Sequence, residues 1–229
     1  MSDSHITVMD AVRTRRSIRA FLPKAVDQDV LKEILAASSR APSGSNIQPW
    51  KVHVLTGNTK SALSEKLLSV VRDPDQVELH SEEFAYYPKT WKAPYIDRRR
   101  ALGWGLYTLL GIERDDKSGM AAQHARNFEF FDAPVGLIFT VDRIMERGSW
   151  LDFGMFLQNI MLTARAQGLD TCPQAAFNRY HRVVTEHLQL PNDDVLVCAM
   201  SLGYADVSRI ENTLSSERAP LETFVTFHH

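Results

Sequence analysis

A stiff polar loop follows a basic cluster within the first fifty residues of this 229-residue chain. The cluster comprises Arg15, Arg16, Ser17 and Arg19, and the loop comprises Pro42, Ser43, Gly44, Asn46 and Pro49. Arginine offers planar, permanently charged, bidentate donors that suit a phosphate. Proline and glycine prevent regular structure in the loop, while its polar side chains supply donors and acceptors that can contact a heterocycle. Together these features indicate a site for a phosphorylated cofactor.

Each half of this pattern has an ordinary alternative. A run of basic residues is commonly a solvated helix face or a nonspecific anion patch. Clusters of Ser, Asn, Gly and Pro are commonly plain turns. The indication of a cofactor therefore depends on the conjunction of the two halves and on matches further along the chain.

Composition indicates an ordinary globular chain, which is predicted to form a single domain over residues 1–229, with two domains as the alternative. The chain is 44% hydrophobic and 24% charged, with a net charge of -2, so no broad electrostatic attraction to nucleic acid or anionic lipid is expected. Cys172 and Cys198 are too far apart in sequence for a chelating pair and are expected to be buried thiols. His181 and His187 do not have zinc-pair spacing, and no metal site is predicted. No signal peptide or membrane-length apolar run is present, and a cytoplasmic location is expected.

Capping residues and hydrophobic periodicity predict the elements of the first half. Thr7 and Asp10 have capping-box spacing, so a short helix is expected to place Arg15 and Arg16 near its carboxyl end. Asp27 can cap a second helix that ends before Pro42. A strand is expected at 50–55 and a helix at 58–71, followed by helices and a lid at about 72–130.

The second half reads as two buried strands around a long apolar helix. Strands are predicted at 134–141 and 195–202, and a helix at 150–167 closed by Gly168. A short extended segment covers 169–173, and Asn178 is expected to cap a helix through His187. The β-like tail at 224–227 could add a strand to a partner's sheet edge. The fold class is therefore α+β.

Several of these segments resemble the FMN-dependent nitroreductase family. The resemblance rests on RTRRSIRAF, APSGSNIQPW, GLDTCPQAAF, LGYA and ERAPL, which together span nearly the whole chain. It implies a nitroreductase-like fold with a central, mostly antiparallel sheet flanked by helices. It also implies a homodimer with flavin sites at its interface and a carboxyl-terminal arm, at about 205–229, exchanged between subunits. The central segment QHARNFEFF resembles a subgroup that acts on nitroaromatic acids.

The resemblance also implies which residues bind FMN. In this reading Arg15, Arg19 and Arg218 hold the phosphate, Arg16 and Ser17 contact the ribityl or phosphate edge, and Pro42, Ser43 and Asn46 contact the isoalloxazine. The second flavin segment contributes Pro173, Gln174 and Ala175, with the Ala175 backbone amide near flavin N5. Gln123 is a further ring contact, although a surface helix position is an equal alternative. Some relatives carry an acidic residue and glycine where this chain has Gln174, Ala175 and Ala176, which can change substrate choice.

Aromatic residues of the central segment are candidates for substrate stacking. Phe128 and Phe131 are the predicted contacts among three phenylalanines that include Phe130, with a core or dimer-seam role as the alternative. The predicted activity is reduction of nitroaromatics or quinones by NADPH or NADH in a ping-pong reaction through the flavin, with no catalytic side chain. The alternatives are activated alkenes or haloaromatics as acceptors, and an FMN- or nucleotide-binding protein without turnover.

Overall fold

Four strands form an antiparallel sheet in the order β1-β2-β4-β3. The structure, a computed structural model, describes residues 6–229. The strands are β1 (Trp50–Leu55), β2 (Val135–Asp142), β3 (Asp170–Gln174) and β4 (Asp194–Gly203). All three pairings are antiparallel, and β2 and β4 are the central strands. The predicted α+β class with a mainly antiparallel sheet is confirmed.

Helices cover both faces of this sheet. They are α1 (Val8–Thr14), α2 (Gln28–Ser38), α3 (Gly57–Val71), α4 (Pro74–Glu78), α5 (Tyr95–Leu109), α6 (Lys117–Ala125), α7 (Arg147–Ala166) and α8 (His181–Leu188). Short 3-10 segments cover Gly44–Asn46, Arg126–Asp132, Ala175–Tyr180, Ile210–Thr213 and Leu221–Thr223. Among residues 6–229, no helix is both long and apolar enough to cross a membrane.

A β-bulge in the central strands assigns side chains to the two faces. The register of β2 and β4 shifts between Phe139 and Thr140, which leaves one extra residue, Val197, on β4. Val197 and Cys198 therefore both belong to the core on the α2–α7 face, although successive strand residues normally alternate. Beyond the bulge the alternation resumes, with Ala199 facing the second core.

Each face of the sheet has its own apolar core. The first core packs α2 and α7 against the sheet, and its aromatic centre includes Phe139, Phe153 and Phe156. The second core packs α3, α8 and the segments at 126–132 and 175–180 against the other face. This second core holds the segment 169–177 in place, and that segment forms part of the candidate site.

Most local predictions are confirmed at their boundaries. Thr7 and Asp10 form the capping box of α1, and the Asp27 side chain accepts a hydrogen bond from the Asp29 amide at the start of α2. Gly168 follows α7 with φ of +72°, the left-handed conformation that glycine adopts readily. The helix α7 begins one turn earlier than predicted, at Arg147.

One capping prediction is wrong, and the tail does not form a strand within the single chain. Asn178 does not cap α8, which begins at His181, because residues 175–180 first form a 3-10 segment. The Asn178 side chain is buried there without a hydrogen-bond partner among the described residues. In the tail, Phe224 and Phe227 are exposed and outside the sheet.

Candidate functional site

Residues 17–18 of the basic cluster pair with the edge of β3, the strand that carries the second segment predicted to contact the flavin. Ser17 forms a parallel bridge with Thr171, and the Ile18 amide donates to the Thr171 carbonyl at 3.1 Å. The chain leaving α1 therefore lies beside the strand that carries Cys172. Two motifs separated by about 150 residues in sequence meet because the sheet edge has unpaired backbone groups that residues 17–18 satisfy.

Positive charges converge at this edge. Burial lowers the pKa of the Arg15 guanidinium, and the nearby charge of Arg218 lowers it further. No carboxylate of residues 6–229 lies within 4.0 Å of either arginine. Two like charges held together are favourable once an anion lies between them. Arg15 and Arg218 are therefore close enough for their charges to interact, while the Arg218 guanidinium also donates to Ser216 and to the Glu217 carbonyl.

The same positive charges affect the pKa of the buried Cys172 thiol. Burial raises the pKa of its thiol to about 11, while Arg19, a hydrogen bond with Ser17 and Arg15 oppose that shift. A thiol with such a high pKa remains protonated at neutral pH, so Cys172 is not a nucleophile. Its role is that of a small packing residue beneath the cationic groups.

Two residues of the carboxyl-terminal segment, Glu211 and Asn212, make hydrogen bonds that hold the basic cluster and the residues around it. Asn212 Oδ1 accepts from the Arg19 amide at 2.8 Å, and Asn212 Nδ2 donates to the Ala20 carbonyl at 2.8 Å. Glu211 is almost fully buried and accepts from Arg126 at 2.7 Å and from Arg209 at 2.8 Å. These contacts fix the backbone on which the Arg19 side chain stands.

A cavity of about 680 Å³ opens beside this cluster. Predicted site residues that line it are Arg19, Gln123, Phe131, Pro173, Gln174 and Ala175. The small side chains of Ala175 and Ala176 leave the backbone of this wall accessible to a flat ring. Gln174 contributes only backbone, because its side chain donates to the Asn127 carbonyl at 2.6 Å and accepts from Ser201 at 2.7 Å.

Phe128 does not reach the cavity, so its prediction as a substrate contact is wrong. Its side chain is fully buried in the second core, with its ring 5.3 Å from Phe177 and 5.2 Å from Tyr180. The structure instead shows Phe128 as a core aromatic, which was one of the alternatives to substrate stacking. Phe131 is also largely buried but does line the cavity, and its contact with substrate stays a prediction.

The loop with Pro42, Ser43 and Asn46 lies elsewhere on the same chain. Its Gly44 amide donates to Asp152 Oδ2 at 3.1 Å, near the start of α7. Arg165, thirteen residues further along α7, donates to Thr14 at 3.2 Å beside the basic cluster. At about 1.5 Å per residue these contacts lie about 20 Å apart along the helix. Within one chain, the loop and the basic cluster therefore pack near opposite ends of α7.

Several cavity residues were not predicted from sequence. Arg99, Tyr87 and Tyr107 line the cavity from α5 and the segment before it, and Arg179 lines it from the 3-10 segment after β3. A basic run at 98–100 was the only local signal for Arg99. Asn212 and Asp152 had no local signal for their roles at the site, because Arg19 and Gly44, which they bind, lie more than a hundred residues away in sequence.

The fold and site define an α+β protein whose antiparallel sheet carries a cationic cavity at one edge. A profile of the Nitroreductase family matches residues 12–204. The chain is 42% identical to a 4-nitrobenzoate reductase of Pseudomonas putida, covering 94% of this chain and 93% of the relative. It is 41% identical to a chloronitrobenzene nitroreductase of Comamonas testosteroni, covering 96% of both.

Solved structures agree with this assignment. The FMN and NADPH-dependent nitroreductase NfnB from Sphigopyxis sp. strain HMH superposes with a TM-score of 0.94 at 35% identity, covering 98% of this chain and 100% of that one. Sequence and structure together show that the chain belongs to the nitroreductase family. The family resemblance predicted from the motifs is confirmed.

Proposed function

We propose that this protein is an FMN-dependent NAD(P)H nitroreductase that reduces nitroaromatic compounds. The observation that carries the proposal is a cavity walled by small residues and lined by Arg19, with the charges of Arg15 and Arg218 close to one another in the same basic cluster. Such an arrangement fits a molecule with a phosphate at one end and a flat ring at the other. Membership of the family and the FMN and NADPH dependence of NfnB support the same assignment.

The fit to FMN rests on the side chains of this chain. Arg15, Arg19 and Arg218 would hold the phosphate, with Arg16 and Ser17 at the ribityl or phosphate edge. Pro173 and Ala175 would lie along the ring, and the Ala175 amide would face N5. Bound FMN would supply the hydride chemistry between the nucleotide and the acceptor.

The protein's own contribution is orientation and electrostatics. Charge-assisted hydrogen bonds from guanidinium groups are stronger than neutral ones and hold a phosphate in one position. Backbone donors that are fixed before reaction stabilise negative charge without reorganisation. We expect ping-pong kinetics, because nucleotide and acceptor would occupy the same cavity in turn. NADH or NADPH as donor, quinones as additional acceptors and a cytoplasmic location stay predictions.

A homodimer would complete the site. The loop at 42–46 and the basic cluster of the same chain contact positions on α7 that are about 20 Å apart along the helix. We infer that Pro42, Ser43 and Asn46 contact the flavin held by the partner subunit. Exposed apolar side chains on α1, including Val8 at 73% and Met9 at 56%, offer surface for such an interface. Within the predicted arm at about 205–229, the mostly exposed part beyond Arg218 would be exchanged between subunits.

The first test is the spectrum of desalted protein incubated with FMN. We expect a bound flavin band that bleaches anaerobically with NADPH or NADH and returns when 4-nitrobenzoate or nitrobenzene is added. Arg15→Gln and Arg218→Gln should each weaken FMN binding at least about tenfold, since a hydrogen bond to a charged group is worth about 1.5–3 kcal/mol. Arg13→Gln, at an exposed position on α1, is the matched control. A protein that cannot be loaded with FMN would contradict the proposal.

Mixed subunits test the composition of the site. One variant carries Arg15→Gln and Arg218→Gln, and the other carries Ser43→Ala and Asn46→Ala. If the loop comes from the partner, a mixed dimer has one intact site, so unfolding and refolding the two variants together should restore activity. Restoration would not occur if each chain supplied its own loop.

A further inference from the structure

Arg99 presents an unpaired guanidinium to the cavity. It lies in the second turn of α5, and Gly103 and Leu106 continue the same helical face along the cavity wall. Its guanidinium is 4.9 Å from the ring centre of Trp91 and 5.5 Å from that of Tyr87. No carboxylate of the described chain, residues 6–229, lies within 4.0 Å of it. Aromatic contact orients the side chain while its donors stay free.

Two other basic groups around the cavity are occupied or neutral. Arg179 donates to the carbonyls of His80 at 3.2 Å and Val77 at 2.9 Å, which directs its fork toward backbone. Burial lowers the pKa of His124, and the charge of Arg179 lowers it further, so His124 is neutral at pH 7. Glu82 is the single acidic residue on the cavity wall among those described.

Two groups of residues from different elements line the cavity. Arg19, Pro173 and Ala175 line the part assigned to FMN, whereas Arg99 stands on α5 with Leu106 and Tyr107. An aromatic acceptor lying along this α5 face would therefore have apolar neighbours and a cation near one end. Guanidinium pairs with a carboxylate in a bidentate geometry that no neutral substituent can match.

Resting on the proposed function, we propose that Arg99 is a specificity-determining residue that binds the carboxylate of a nitroaromatic acid. The preferred acceptors are then nitrobenzoate-type compounds rather than neutral nitroarenes. This assignment separates two substrate classes that are both represented among the relatives, namely 4-nitrobenzoate and chloronitrobenzene. The 2′-phosphate of NADPH is the competing anion, and the experiment separates it from the carboxylate.

Binding is measured first, without turnover, on FMN-loaded protein. Perturbation of the flavin absorbance gives Kd for 4-nitrobenzoate and for 4-nitrobenzyl alcohol, a neutral compound of similar size. We expect Arg99→Gln to weaken 4-nitrobenzoate binding at least about tenfold, with a much smaller effect on the alcohol. Arg99→Lys should restore part of the loss, because it keeps the charge without the fork. Arg100→Gln, exposed and off the cavity wall, controls for net charge.

Turnover then separates this inference from the proposed function. The ratio of kcat/KM for 4-nitrobenzoate to that for nitrobenzene should fall at least about tenfold in Arg99→Gln and stay constant in Arg100→Gln. Arg99-dependent binding without any turnover would support the carboxylate site and would contradict only the proposed nitroreductase activity. Unchanged 4-nitrobenzoate binding in Arg99→Gln would overturn the inference. So would a rise in KM confined to NADPH, with NADH unaffected, since that result assigns Arg99 to the 2′-phosphate.

Discussion

Replacing Asn212 by alanine should both destabilise the protein and weaken FMN binding. The side chain is 7% exposed, accepts from the Arg19 amide at 2.8 Å, and donates to the carbonyls of Ala20 at 2.8 Å and Asp206 at 2.9 Å. Each buried group left without a partner costs about 1–3 kcal/mol. Since Asp206 can regain water, we expect a loss of about 3 kcal/mol. For a chain of this length, that corresponds to about 6–12 °C in Tm.

The effect on FMN follows from the position of Arg19. Its backbone is held to Asn212, and its side chain reaches the cavity beside the proposed phosphate position. Loosening that backbone makes binding include the free-energy cost of ordering it, so FMN affinity should fall several-fold. Asn212→Asp should be no better than alanine, because it places a carboxylate oxygen against two carbonyl oxygens.

Urea unfolding of the FMN-free protein measures the stability change, and flavin fluorescence quenching measures the affinity. Asn58→Ala, at an exposed position in the first turn of α3, should change stability by no more than about 0.5 kcal/mol. An Asn212→Ala variant that unfolds at the wild-type urea midpoint would refute the stabilising role. A destabilised variant with wild-type FMN affinity would refute only the link to Arg19.

Two further predictions concern stability. Gly136→Ala should lower the free energy of unfolding in urea by about 1–3 kcal/mol, because the new Cβ would lie 2.6 Å from the buried Phe130 ring. Gly148→Ala, whose new Cβ would meet open space, should leave it unchanged. Equal urea midpoints for the two variants would contradict the packing argument. Stability should also fall as pH drops from 7.5 to 5.5, because burial lowers the pKa values of His53 and His124 and the unfolded chain binds the extra protons. His124→Gln should flatten that dependence, and an unchanged pH profile in this variant would exclude His124 as a contributor.

Much of the fold was predictable because its signals are local. The capping box of Thr7 and Asp10 and the left-handed Gly168 each operate within one helical turn of the chain end they define. The buried strands were recognisable as short apolar runs of strand length. The prediction that Asn178 caps α8 was wrong because it also used a local signal. A residue that caps helices well can lie inside a 3-10 segment that packs in the second core.

The arrangement of the candidate site was not predictable from local sequence patterns. The motifs around Arg15 and Pro173 indicated a cofactor, but their meeting depends on the pairing of Ser17 with Thr171 at the sheet edge. The aromatic segment indicated Phe128 as a substrate contact, whereas packing against Phe177 buries it. Burial is a property of the assembled layers, and sequence spacing does not report it.

The sequence by itself determined the α+β class, the boundaries of most elements and the arginines suited to a phosphate, because capping, periodicity and side-chain chemistry act over a few residues. Only the tertiary structure decided that Asn212 supports Arg19 across 193 residues of sequence. It also placed Arg99 over the cavity and the loop at 42–46 far from its own chain's cluster. These relations depend on how helices and strands pack, and contacts between distant segments are fixed only when both cores form.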